Sequence, residues 1–126
     1  MKKNDVLLTY GWGRSSYAAL RNLSNHNISV VASDSNNIGM CQSSRLQKDF
    51  KKYTSHYEDE DKFIKDILDI CSKKKIRYIL PSHNETEIIA RHRSKFDSSL
   101  VSLVPNESHC KLFNNKASAY EFVKDL

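Results

Sequence analysis

Two hydrophobic periods alternate along this chain: short continuous apolar runs, and longer segments in which apolar residues return every three or four positions. Val6-Leu7-Leu8-Thr9 is such a run, closed by Tyr10-Gly11-Trp12-Gly13, and it predicts a first strand buried on both faces. Ser15 or Ser16 as an N-cap, Ala19, Leu20 and Leu23 at helical spacing, and the breaker Asn25-His26-Asn27 predict a helix of about ten residues. The β-branched stretch from Ile28 to Ser33, ending at Asp34, predicts the second strand. Residues 35 to 58 are irregular, with a short strand expected around Phe50 to Tyr53. From Asp59 the pattern is clear again, because Phe63, Ile64, Ile67, Leu68 and Cys71 mark one face of a helix with acids before it and lysines after it. Ile76 to Leu80, stopped by Pro81, reads as a third strand, and Glu85 to Lys95 as a helix with Ile88, Ile89 and His92 on one side. Leu100 to Val104, stopped by Pro105, reads as a fourth strand, and Glu107 to Phe113 and Lys116 to Leu126 as two short helices.

Strands that are near-continuous apolar runs, each followed by a helix, imply a parallel sheet covered on both faces. The expected fold is α/β: a three-layer, Rossmann-like sheet with helices on both sides. At 126 residues, 39% hydrophobic and 28% charged, with three Gly and two Pro, the chain suits one folded domain and excludes disordered or collagen-like classes. The net charge of +5 is dispersed, and its one triple run, Lys73-Lys74-Lys75, falls where a helix should end; nucleic acid is therefore not an expected partner. Cys41, Cys71 and Cys110 lie far apart and are odd in number, which encodes neither a disulfide framework nor zinc knuckles, and Cys71 reads as a core residue. No apolar run is long enough for a bilayer or a signal peptide, so no membrane partner is expected and the expected compartment is the cytoplasm.

Ligands of open parallel sheets bind beyond the carboxyl ends of the strands, so the residues that follow each strand are the candidates. After the first strand, Gly11-Trp12-Gly13-Arg14-Ser15-Ser16 offers a tight turn and a helix N-terminus to an anion, with Ser16 where a dinucleotide fingerprint has its third glycine. A tight strand-to-helix turn explains the same residues. Asp34 lies 23 residues beyond Gly11, near the spacing of a ribose-binding acid, and a strand-end cap is the alternative. After the third strand, Ser82-His83-Asn84-Glu85 gathers polar groups in front of a helix. There Glu85 is a candidate ligand contact and His83 a candidate acid or base, while capping by Ser82 or Asn84 explains part of the pattern. His26, His56, His92 and His109 show no metal-ligand spacing.

In their order these marks resemble the N-terminal domain that precedes the ATP-grasp module in carboxylate–amine ligases similar to the carbamoyl-phosphate synthase large chain. They are Val6-Leu7-Leu8-Thr9 running into Gly11-Trp12-Gly13-Arg14, Ala32-Ser33-Asp34, Ser43-Ser44-Arg45, the helix from Asp61 with Phe63, Ile79-Leu80-Pro81-Ser82 before Asn84-Glu85, and Asn115-Lys116 with Tyr120. Asn115 and Asn84 stand where relatives often carry acids. The resemblance implies a pre-ATP-grasp domain over residues 1–113, with 114–126 opening the connection to an ATP-grasp domain beyond Leu126, where the chain reads as cut short. It implies an enzyme that uses ATP and Mg2+ to convert a carboxylate into an acylphosphate for attack by an amine. This chain alone is expected to be inactive and to hold no cofactor tightly. Gly11, Trp12, Gly13, Arg14 and Glu85 would then contact substrate and Lys116 a nucleotide phosphate; Asp34 joins the substrate contacts on its position. A homodimer is left open. The competing expectation is a stand-alone Rossmann-like module that binds a nucleotide or sugar nucleotide through Gly11, Gly13 and Asp34.

Overall fold

The computed structural model describes residues 4–126. Four strands, β1 (Asn4–Leu8), β2 (Val30–Asp34), β3 (Asp49–Lys52) and β4 (Ile76–Leu80), form one sheet in the order β3-β2-β1-β4, and every pairing is parallel. The helices are α1 (Arg14–Asn25), α2 (Glu60–Lys74), α3 (Glu85–Arg91), α4 (Glu107–Asn114) and α5 (Lys116–Val123). Val6 and Leu7 of the central strand β1 lie opposite Val30 and Val31 on one side and Tyr78 and Ile79 on the other. Because side chains alternate across a strand, this register sends Leu7, Val31 and Ile79 to one face and Leu8, Ala32 and Leu80 to the other. The first face packs against Phe63, Ile64 and Ile67 of α2, Ile89 of α3 and Cys110 of α4. The second packs against Leu20 of α1 and against Cys41. The result is the three-layer, Rossmann-like α/β arrangement that the alternation of periods implied. No helix of the described residues is long and apolar enough to cross a membrane.

Helix α2 shows the local logic most clearly. Asp59 caps it by accepting the Lys62 N–H at 3.0 Å, Glu60 and Asp61 occupy the first turn, and Lys73 and Lys74 the last. Lys75 closes it in the left-handed region at φ 53°, so the lysine run is a helix terminus.

Three expectations are corrected. Leu100 to Val104 is not a strand but a chain of turns, with i to i−3 hydrogen bonds to Asp97, Ser99 and Val101. Val101 and Val104 are buried three positions apart while Leu103 is exposed, a helical rather than an alternating spacing, and only the Leu100 carbonyl meets the sheet edge, accepting the Ile79 N–H. Helix α1 begins after Gly13, not at a serine cap, and Ser16 is buried inside it. The helix predicted over Glu85 to Lys95 breaks at His92 into α3 and a 3₁₀ turn, Arg93–Lys95.

That break orients Arg93, whose guanidinium donates to the carbonyls of Val101 (3.2 Å), Val104 and Pro105 (3.1 Å). These carbonyls have no strand partner, so the guanidinium supplies the donors a sheet would have given. Arg93→Ala should lower the unfolding free energy by about 2–3 kcal/mol, the cost of a lost charged donor that leaves the Val104 and Pro105 carbonyls without it, while Val101 keeps the Val104 N–H. Urea denaturation at constant m checks it; an unchanged midpoint would mean that apolar contacts alone hold the segment.

Candidate functional site

The chain lays down β1, β2 and β3 in one direction and then returns to add β4 on the far side of β1, so strand order reverses between β1 and β4. The residues leaving these two strands are Tyr10 and His83. Both sit in the left-handed region, at φ 55° and 59°, a conformation that costs a bulky side chain on the order of 1 kcal/mol or more. Their rings stack with centroids 4.8 Å apart and planes 12° apart. They form one wall of a cleft of about 700 Å³ at the carboxyl edge of the sheet.

Tyr53, the residue after β3, supplies the floor. Its hydroxyl accepts the Tyr10 N–H at 3.1 Å and donates to the carboxyl of Glu85, whose two oxygens lie 2.5 and 2.7 Å away. Glu85 opens α3 and is 5% exposed. Burial pushes its carboxyl up to about 7, helped by the nearby charge of Asp34 and opposed by the hydroxyls of Tyr53 and Thr9. Tyr53 is itself pushed well above the ordinary phenol range by burial and by Glu85. His56, further along the cleft, is held below the usual imidazole range by burial, against the pull of Glu60.

Asp34 also lines the cleft, but its carboxylate is committed to the backbone. Oδ2 accepts the Trp12 N–H at 2.7 Å, and Oδ1 accepts the Asn36 N–H at 3.0 Å and the Ser35 hydroxyl at 3.3 Å. The glycine turn is tied down throughout: Gly11 N–H donates to Ser33, Gly13 N–H to Tyr10, and the Gly11 carbonyl accepts from Cys41. A Cβ at Gly11 would stand 3.2 Å from the Ser33 carbonyl oxygen and from Cys41, so any side chain there would press the turn against β2 and Cys41. Ser16 is fully buried, and its hydroxyl donates to the Thr9 carbonyl at 3.1 Å and lies 3.3 Å from the Ser82 hydroxyl, joining the ends of β1 and β4.

The structure therefore brings Asp34, His83 and Glu85 to one cleft, at the same sheet edge as Gly11 and Ser82. Gly11 lies behind the turn, and Trp12, Gly13 and Arg14 are not among the lining residues; the Arg14 side chain is exposed at the start of α1, away from the cleft that holds Glu85. Lys116 is exposed on α5, beyond the Asn115 cap. Ser82 and Asn84 form no side-chain cap on α3; Asn84 donates instead to the Tyr57 hydroxyl at 3.0 Å. Sequence reasoning missed Tyr10, Tyr53 and Tyr57. The first two follow strands, and the rule that singled out Gly11, Asp34 and Ser82 reaches Tyr53 once the short β3 is counted as a strand.

Among the described residues, no group of three or more His, Cys, Asp or Glu side chains is placed to hold a metal ion. No protein-family profile matches the sequence, and no curated protein matches it. Among solved structures the chain is similar to the UDP-glucose 4-epimerase of the hyperthermophilic eubacterium Thermotoga maritima, crystallised with UDP-glucose. The identity is 18% and the TM-score 0.46, over 75% of this chain and 29% of that one. The chain spans less than a third of that enzyme's length.

Proposed function

We propose that the domain binds the amine-bearing acceptor of an ATP-dependent carboxylate–amine ligase and presents it at the carboxyl edge of the sheet. The observation that carries this reading is Glu85, a buried carboxyl at the strand-order reversal, held by Tyr53 and open to a cleft of ligand size. An ammonium entering the cleft would meet a carboxylate already positioned by the Tyr53 hydroxyl, which cuts the ordering cost of binding. The ordered marks of a pre-ATP-grasp domain support the assignment of the reaction. In this reading ATP and Mg2+ would be held mainly by a following ATP-grasp module, with Lys116 a phosphate contact on this chain.

A nucleotide-binding module is the second reading. It is favoured by the first turn of the 12-residue α1, which has no side-chain cap and carries Arg14 at its start. The glycine turn supports it less, since the N–H groups of Gly11, Trp12 and Gly13 already have partners within the chain.

The reading frame after Leu126 gives the first test, because the ligase requires a following module of about 200 residues with lysine and acidic metal ligands. In the intact enzyme, Glu85→Gln should raise the KM for the amine on the order of tenfold or more and leave the KM for ATP nearly unchanged. Arg14→Ala, outside the cleft, should act more weakly on the amine. An effect of Glu85→Gln on ATP alone would remove the acceptor assignment, and a dominant effect of Arg14→Ala on a nucleotide would favour the second reading.

A further inference from the structure

A second cavity, of about 780 Å³, lies beside the first between α3, α4 and α5. Its exposed lining is mainly apolar, with Pro105, Cys110, Leu112, Phe113 and Phe122 beside an equal number of polar residues. Phe113 and Phe122 meet edge to face at 5.8 Å, yet they remain 56% and 53% exposed. Two large rings from successive helices thus hold a groove open while leaving much of their own surface in water, which is unfavourable unless something covers it.

The two cavities share His83. Its backbone is held in the left-handed region and its ring is stacked on Tyr10, so it stands as a fixed post at the junction. The character of the surface changes across it. On one side the cleft carries the carboxyls of Asp34, Glu58, Asp66 and Glu85 against two lysines, an acidic patch on a chain of net charge +5. On the other side the groove is apolar.

We propose that the cleft and the groove form one bipartite site for an amphiphilic amine, with the ammonium head at Glu85 and an apolar tail of several carbons lying past His83 against Phe113 and Phe122. This inference rests on the reading of the cleft as an amine site and names the class of amine. Head and tail have separate signatures. The head contributes a charged contact common to every amine, whereas each methylene that enters the groove adds apolar burial.

Titration of the 126-residue chain with n-alkylammonium ions from methyl to hexyl tests it by calorimetry and by amide shifts. Affinity should rise two- to fourfold for each methylene once the tail reaches the groove, the range set by burying a CH2 fully or in part. Glu85→Gln should weaken all members by a similar factor. Phe122→Ala, an exposed position whose loss the fold tolerates, should flatten the dependence on length and leave methylammonium unchanged. If affinity is indifferent to chain length while Glu85→Gln still weakens binding, the groove is not part of the site and the acceptor reading stands alone. If no member shifts the amides of Tyr10, Tyr53 or Glu85, both the acceptor reading and this inference fall.

Discussion

Phe63→Ala should remove about 3–5 kcal/mol of unfolding free energy, a large share of the 5–15 kcal/mol that holds a typical domain together. Phe63 is fully buried on the inner face of α2, inside the larger of the two apolar clusters. Its ring meets Tyr53 edge to face at 5.1 Å and His56 at 5.7 Å. Truncation therefore loses the transfer energy of the ring, leaves a cavity that the sheet cannot collapse into, and unsupports two residues that line the cleft. Phe63→Leu keeps most of the volume and should cost less than about 1.5 kcal/mol. Urea denaturation of both variants checks the pair. A loss for Phe63→Ala no greater than that for Phe63→Leu would show that the ring does not support the core.

The link from Phe63 through Tyr53 to Glu85 also shows what the sequence made legible. The helix of Phe63 was readable because Ile64, Ile67 and Cys71 repeat its period over a full 15 residues, with Asp59 in front and lysines behind. β1 and β2 were readable because both are interior strands whose apolar runs are covered by both layers, and β4, an edge strand with Arg77 exposed, because Ile76, Ile79 and Leu80 are stopped by Pro81. β3 is an edge strand, Asp-Phe-Lys-Lys, and has no such run; it was visible only as a weak signal. Leu100 to Val104 made the opposite error. Its composition is strand-like, but the donors that reach its Val101 and Val104 carbonyls include the guanidinium of Arg93, a residue whose role has no local signature. The same holds for the site: Glu85 and Asp34 were found because they follow strands, whereas the Tyr53–Glu85 contact joins residues 32 apart, and the commitment of Asp34 to the Trp12 amide depends on a turn geometry that spacing does not specify. Arg14 was grouped with Glu85 because the resemblance carries both over as substrate contacts; the sheet places their helices on opposite faces, since α1 packs with Leu8 and α3 with Leu7.

Glu85→Gln should make the domain more stable than the wild type at pH 8 by about 2–3 kcal/mol, with the difference vanishing near pH 4.5. The sign follows from burial. In the unfolded chain Glu85 has an ordinary carboxyl near 4.5, while in the fold it is pushed up to about 7. Between these values the folded state binds the extra proton, so stability falls as the pH rises. The contribution of the protonated group is fully present below about pH 4.5, declines across the interval, and is lost once the pH passes about 7. Gln keeps the shape and an oxygen that can accept the Tyr53 hydroxyl, but it has no charge to desolvate. Asp5, Asp49 and Glu60 act in the opposite sense. Hydrogen bonds and neighbouring cations hold their carboxyls below the ordinary range, so they stabilise the fold above about pH 4 and lose that effect in acid. Because those groups are the same in both proteins, the difference between variant and wild type isolates Glu85. Denaturant midpoints at half-unit steps from pH 4 to 8.5 measure it. A difference that does not change with pH would show that Glu85 titrates alike in the folded and unfolded chain, and the buried carboxyl on which the amine site is built would lose its special character. An alkylammonium ion added above pH 7 should then raise wild-type stability and leave Glu85→Gln nearly unmoved, because only the wild type has a buried anion for the cation to neutralise.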